Sequence, residues 1–180
     1  MAKPPFLVSE KLLRRYISKP IILDTKPLVL FLAGIYNPDK IGDRLTAGFE
    51  REDFELLCKF LSNFKGIIIT PHILTEASNI INRDLPKSLF CEFFEKVLSK
   101  LEEFHECSVN KNDIFLRDET KRLGITDVGI ILSCELENSL ILTKDFKFSL
   151  EFSQKGYPIV HFDFLRSINW KKSNLSTQSQ

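Results

Sequence analysis

The sequence predicts an α/β domain built on a parallel sheet, and three observations carry that prediction. Four short apolar runs, Ile21-Ile22-Leu23, Ile67-Ile68-Ile69, Ser139-Leu140-Ile141-Leu142-Thr143 and Ile159-Val160-His161-Phe162, have the length of buried strands. Segments with apolar residues at helical spacing separate them. Each separation is long enough for the crossover that parallel strands need. At 180 residues the chain suffices for one domain whose core needs no disulfide or metal staple.

Taken in order, residues 1–19 read as a loose start followed by a helix that Ser9 caps and that runs to about Ile17, with Leu12, Leu13, Tyr16 and Ile17 inward. Residues 20–168 form the predicted domain. Lys19-Pro20 opens the first strand, and Asp24 stands where it stops. Pro27 suits the first turn of a helix over Leu28 to Ile35, apolar enough to be buried on most sides. Over 36–52 the pattern disappears. Asn37-Pro38-Asp39-Lys40 and Ile41-Gly42-Asp43-Arg44 are turn-like, and so long a connection is a functional lid, a mobile or solvated insertion, or an unrecognised short helix.

A helix over Asp53 to Phe64 follows, with Leu57, Cys58 and Leu61 on its inner stripe and Gly66 as its stop. After the second strand, Thr70-Pro71 is an N-cap followed by proline at the first helical position. Pro86 starts a long helix to about His105, whose stripe of Phe90, Phe93, Phe94, Val97, Leu98 and Leu101 fits a core or dimer face better than a stacking platform for bases. Helices over Asp113 to Leu123, and from Thr126 as cap through Leu136, lead to the third strand. A short helix over Phe148 to Gln154 and a turn at Gly156-Tyr157-Pro158 lead to the fourth. Residues 163–168 make a final turn, and 169–180 read as a disordered polar tail.

A formal net charge of +1 provides no global basic field. Cys58, Cys91, Cys107 and Cys134 form no C-x-x-C pair, which speaks against a zinc site; Cys58, Cys91 and Cys134 fall in apolar helical patterns and read as buried thiols of a reducing compartment. No signal peptide and no membrane span is evident, so a cytoplasmic protein is expected. No glycine-rich phosphate loop follows any strand.

Four carboxylates carry the chemistry. Asp24 and Asp145 each follow a predicted strand, where an aspartate also serves as a helix N-cap. Asp127 lies in a first helical turn, where a negative side chain complements the helix dipole, and also four residues before Ile131 on the inward stripe. Glu76, between Ile73 and Ile80, falls on the inward face of its helix, which leaves a salt bridge (to Arg83 or Lys144) or a metal as its partner. Strand ends of a parallel sheet share one edge, so the four are expected to converge there. Clustered carboxylates raise each other's pKa unless a cation neutralises them, and oxygen-only ligands favour Mg²⁺ or Mn²⁺.

The ordered set Ile22-Leu23-Asp24-Thr25, Thr70-Pro71-His72-Ile73-Leu74-Thr75-Glu76, Gly124-Ile125-Thr126-Asp127-Val128-Gly129-Ile130-Ile131 and Leu140-Ile141-Leu142-Thr143-Lys144-Asp145-Phe146 resembles the PIN-domain family of metal-dependent ribonucleases, including VapC-like toxins. The resemblance spans about residues 20–165. It implies a three-layer fold with a mostly parallel sheet of four to five strands, and a metal site of Asp24, Glu76, Asp127 and Asp145 that holds one or two ions. It also implies Thr25 and Thr126 as groups orienting the acids, RNA as substrate, and a protein antitoxin or a second copy of the chain as partner. Two departures stand out: Lys26 where many members have Asn, and Lys147 where some carry another acid or polar group. Lys26, Lys144, Lys147 and Arg83, with Arg44 and Lys40, are candidates for substrate phosphates.

The expected function is a Mg²⁺- or Mn²⁺-dependent endoribonuclease. Its alternatives are a PIN-like module that holds RNA or protein without cutting, which Lys26 favours, and a phosphatase or phosphoacceptor domain using Asp24.

Overall fold

The computed structural model describes residues 10–167 and shows an α/β fold with a five-stranded, all-parallel sheet between layers of helices. In chain order the elements are α1 (Glu10–Tyr16), β1 (Ile21–Leu23), α2 (Thr25–Tyr36), α3 (Arg51–Leu61), β2 (Ile67–Ile69), α4 (Pro71–Asp84), α5 (Phe90–Leu101) and β3 (His105–Glu106). They continue with α6 (Lys111–Leu116), α7 (Thr120–Leu123), α8 (Ile125–Glu137), β4 (Leu140–Thr143), α9 (Phe146–Gln154) and β5 (Ile159–His161), after which residues 162–167 are helical. The strand order is β3-β2-β1-β4-β5.

The four apolar runs form strands because they have nowhere else to hide their side chains. Ile21, Ile22 and Leu23 are wholly buried, as are Leu140, Ile141 and Leu142 beside them. The register pairs Ile21 with Leu140, Ile22 with Ile141 and Leu23 with Leu142, so β4 runs one residue, Thr143, past the end of β1. The chain leaves β1 toward β2 on one side, and β4 returns on the other. The carboxyl ends of β1 and β4 therefore flank a switch in sheet direction, the place where open parallel sheets leave a crevice.

Several elements differ from expectation for physical reasons. The long helix after Pro86 is a 3₁₀ turn (Lys87–Leu89), α5 and a separate edge strand. That strand, β3, contains only His105 and Glu106, both exposed, and is held by backbone pairing with Ile68 and Ile69. No side-chain pattern announces it. The helix expected over Asp113 to Leu123 is divided into α6 and α7: Arg117 takes extended dihedrals, its guanidinium pairs with Glu135 at 2.6 Å, and the Thr120 hydroxyl donates back to the Ile114 carbonyl. Residues 162–167 are helical, not a turn. Ile17, Leu98 and Leu136, expected inward, are 46%, 50% and 68% exposed. Cys91 is exposed and Cys58 only half-buried; Cys107 and Cys134 are the buried thiols. The expected cap Ser9 and the tail 169–180 lie outside the described residues.

The 36–52 connection is built, not loose. Asn37 caps a 3₁₀ turn at Pro38–Lys40, a second 3₁₀ turn spans Arg44–Thr46, and Thr46 and Phe49 are buried. Its far end is anchored by Asp53, 5% exposed, whose carboxylate accepts from the Glu50 amide at 2.8 Å and from Arg166 Nε at 2.7 Å. Arg166 also donates to Asp163 Oδ1 at 2.9 Å and to the Gly48 carbonyl at 2.9 Å. One arginine thus ties the connection, α3 and the last helical turn together.

Helices α2 and α3 cross closely at Gly34, where a Cβ would stand 2.2 Å from the Phe54 ring. Replacing a helical glycine by alanine ordinarily gains about 0.5–1 kcal/mol. Overpacking costs about 1–3 kcal/mol, and here it wins because contact extends to the root of the Phe54 ring. Gly34→Ala is expected to lower the unfolding free energy by about 1 kcal/mol in urea titrations. An equal or higher midpoint would show that the Phe54 ring moves aside freely.

Candidate metal centre

Each predicted acid lies at or beside the carboxyl edge of the sheet. Asp24 directly follows β1, with its amide donating to the Leu142 carbonyl of β4 at 3.0 Å. Its side chain caps α2: Oδ1 accepts from the Thr25 amide at 2.6 Å. The capping role read from the sequence is therefore real, and it leaves Oδ2 for a second partner. That partner is Thr143, the last residue of β4, whose hydroxyl donates to Asp24 Oδ2. The same Thr143 oxygen accepts the amide of Asp145 at 2.9 Å. Asp145 in turn caps α9, with Oδ1 accepting from the Phe148 amide at 2.9 Å.

Glu76 reaches the group from α4. The Thr25 hydroxyl, itself buried, donates to Glu76 Oε2 at 3.0 Å. The inward, buried position that its spacing suggests is not found: Glu76 is exposed. The buried stripe of α4 is Ile73, Ala77 and Ile81, and Glu76 stands beside that stripe, next to Thr25. Neither Arg83 nor Lys144 is its partner. Arg83 pairs with Asp84 at 2.6 Å, and Lys144 donates to Asp163 with its ammonium 5.7 Å from the Phe49 ring centre.

Asp127 comes from the first turn of α8 and is half-buried. The cap of this helix is Gly124, at φ +98°, and not Thr126, which makes no hydrogen bond to Asp127 among the described residues. Burial, followed by the negative charges of Asp24, Asp145 and Glu76, pushes the Asp127 carboxyl up to about 7. Asp24 is also raised, chiefly by burial, with Glu76 and Asp145 adding to the effect and the hydrogen bonds from Thr143 and the Thr25 amide opposing it. The four carboxylates are electrostatic neighbours.

Among the described residues, no group of three or more His, Cys, Asp or Glu side chains stands close enough together, as placed, to hold a metal ion. The donor set nevertheless fits a hard divalent cation. It is oxygen-only, it concentrates negative charge at a half-buried point, and hydrogen bonds from Thr25, Thr143 and the Phe148 amide orient Asp24, Glu76 and Asp145. A carboxyl that holds its proton to about 7 is one whose surroundings favour an added positive charge.

Thr25, for which the resemblance implies an orienting role, hydrogen-bonds to both Asp24 and Glu76. Thr143 was not singled out in the sequence, although a threonine two residues before a strand-end aspartate is the arrangement that lets one hydroxyl face both Asp24 and the Asp145 amide. Of the lysines proposed for phosphate binding, Lys26 and Lys147 are exposed, whereas Lys144 braces Asp163.

Two consequences are measurable. The folded-state pKa of Asp127 lies above its unfolded value, so the folded state binds the extra proton and stability falls as pH rises from about 4 through 7. In EDTA, Asp127→Asn is expected to stabilise the fold at pH 8 by about 1 kcal/mol, discounted for solvent screening, and to change it little at pH 4. Thermal melts across that range check this, and a variant less stable than its parent at pH 8 overturns it. Thr143→Val removes the donor to Asp24 and the acceptor for Asp145 with little change of volume. A loss of about 1–3 kcal/mol is expected in denaturant titrations.

Compared with protein-family models and with curated proteins, the chain matches none.

Proposed function

We propose that this protein is a PIN-type, Mg²⁺- or Mn²⁺-dependent endoribonuclease that hydrolyses RNA phosphodiester bonds. The observation that carries the reading is the meeting of Asp24, Glu76, Asp127 and Asp145, from four separate stretches of the chain, at one edge of the sheet. The order of the four motifs along the chain supports it independently.

In this reading Asp24, Asp127 and Asp145 hold the ion, with Glu76 as the fourth acid. A divalent cation in such a site supplies Lewis-acid polarisation of the phosphodiester and a more acidic water. The chain's own groups set the stage. Thr143 and the Thr25 amide orient the two oxygens of Asp24, the Thr25 hydroxyl aims Glu76, and Thr143 holds the Asp145 amide. Lys26 and Lys147, both exposed next to the acids in sequence, steady the phosphate. The VapC-like toxin role, with a protein antitoxin or a second copy as partner, belongs to the same proposal.

Lys26 favours a second reading, a PIN-like module that holds RNA or protein without cutting. Its ammonium stands two residues from Asp24, where it competes electrostatically with an ion.

Incubation of RNA oligonucleotides with Mn²⁺ or Mg²⁺ separates the readings. The unaltered chain is expected to cleave, with Asp24→Asn and Asp127→Asn each at least 100-fold slower at unchanged circular dichroism. Cleavage that persists in both variants, or in excess EDTA, sinks the proposal. Calorimetry with Mn²⁺ is expected to show binding that Asp127→Asn weakens; absence of binding supports the non-catalytic module.

A further inference from the structure

The connection between α2 and α3 closes a cleft that the acid centre does not use. The cleft encloses about 580 Å³, and its walls include Tyr36, Leu45 and Leu85 on the apolar side and Arg44, Arg83 and Lys87 on the cationic side. A smaller hollow of about 180 Å³ shares Arg44, Leu45 and Arg83 with it and also meets Lys26 and Ile80. Lys26 directly follows Thr25, whose hydroxyl holds Glu76, and Ile80 lies one helical turn beyond Glu76 on α4. Cleft and hollow therefore adjoin, and the hollow reaches the residues beside the Thr25–Glu76 pair. Seven residues of α4 separate Glu76 from Arg83, which is about 10 Å at ~1.5 Å per residue.

The charges along the cleft and hollow are arranged, not scattered. Asp84, with its side chain only 8% exposed, receives Arg44 Nε at 2.9 Å and the Arg83 guanidinium at 2.6 Å. One nearly buried carboxylate thus orients two guanidiniums that are themselves 73% and 66% exposed. The pair of arginines keeps a positive surplus. Lys87 adds to it, because its ammonium donates to the uncharged Asn82 side chain, at 3.1 Å, and forms no ion pair among the described residues. Two oriented guanidinium forks above an apolar hollow match an anion with paired oxygens attached to a flat apolar body. A nucleotide of a single strand has that chemistry: phosphate outside, base inside.

We infer that the cleft and hollow are the track of single-stranded RNA leading to the acid centre, with backbone phosphates on Arg44, Arg83 and Lys87 and a base against Tyr36 and Leu45. This rests on the nuclease reading and adds to it the substrate's direction and the role of the 36–52 connection. At ~3.4 Å per stacked nucleotide, the arginines engage the strand about three nucleotides from the bond held at the acids.

The test is fluorescence anisotropy of a labelled oligouridine with the chain carrying Asp127→Asn, which binds without cutting, between about 50 and 200 mM salt. Arg44→Ala combined with Lys87→Ala leaves Arg83 to neutralise Asp84, and Asn82→Trp independently plugs the cleft from an exposed helical position. Both are expected to weaken binding at least tenfold at unchanged melting temperature. The charge variant should also flatten the slope of log K against log salt by about 1.4, the loss of two phosphate contacts on a single strand.

Binding equal to the parent's in both variants overturns the track. Cleavage by the unaltered chain in Mn²⁺ reports separately on the acid centre. Cleavage with cleft-independent binding removes the track and leaves the nuclease reading intact. Cleft-dependent binding without cleavage supports the track and removes the catalytic reading, and an unaltered chain that neither binds nor cuts removes both.

Discussion

The Thr143 hydroxyl is the constraint on which the acid centre depends. It donates to Asp24 and accepts from the Asp145 amide, so one oxygen at the end of β4 positions the carboxylate after β1 and the helix cap after β4. The arrangement is available only because β1 and β4 are neighbours in register and β4 runs one residue past the end of β1. Thr25 repeats the device on the other side, reaching from the start of α2 to Glu76 on α4. Two threonines, one on each side of Asp24, tie three separate pieces of chain into one group, and Asp127 on α8 adjoins it through charge alone. Mutual repulsion works against that group, and oriented hydrogen bonds keep it from splaying.

The fold tolerates this repulsion because the strands beneath it are dry. Burying an aliphatic side chain contributes roughly 1.5–3 kcal/mol, and Ile21, Ile22, Leu23, Leu140, Ile141 and Leu142 are all completely covered. Repulsion among half-exposed carboxylates is the smaller quantity. A cluster of like charges at the end of a core of this kind is therefore affordable, and local destabilisation of this sort is a common mark of functional sites. The cationic groups beyond the centre are organised by a different principle: Asp84 and Asp53 are carboxylates sunk in the surface that hold arginines in fixed directions. Asp53 uses Arg166 to fasten the connection, while Asp84 leaves Arg44 and Arg83 facing out.

Much of this architecture was legible along the chain. The apolar runs at 21–23, 67–69, 140–143 and 159–161, the Thr70-Pro71 start of α4 and the capping aspartates act through contacts a few residues away, so periodicity and cap chemistry report them directly. The four acids were legible for the same reason, since a strand end or a helix face is a local property. What misled was also local. His105-Glu106 carries no apolar pattern and joins the sheet by its backbone alone. Cys91 and Leu98 keep helical spacing on α5, whose buried stripe is narrowed to Phe93 and Val97, and Leu136 lies beyond the buried run of α8.

By itself, then, the sequence determined four of the five strands, the Thr70-Pro71 start of α4, the parallel class and four candidate carboxylates, because each follows from short-range sterics, hydrogen bonding and hydrophobic spacing. The tertiary structure alone decided that β4 lies beside β1, that Thr143 bridges Asp24 and Asp145, that Glu76 stands exposed next to Thr25, and that Arg44 and Arg83 share Asp84. Those relations join residues dozens of positions apart. They arise only when burial of the apolar strands selects one strand order, and no pattern within a single segment encodes that selection.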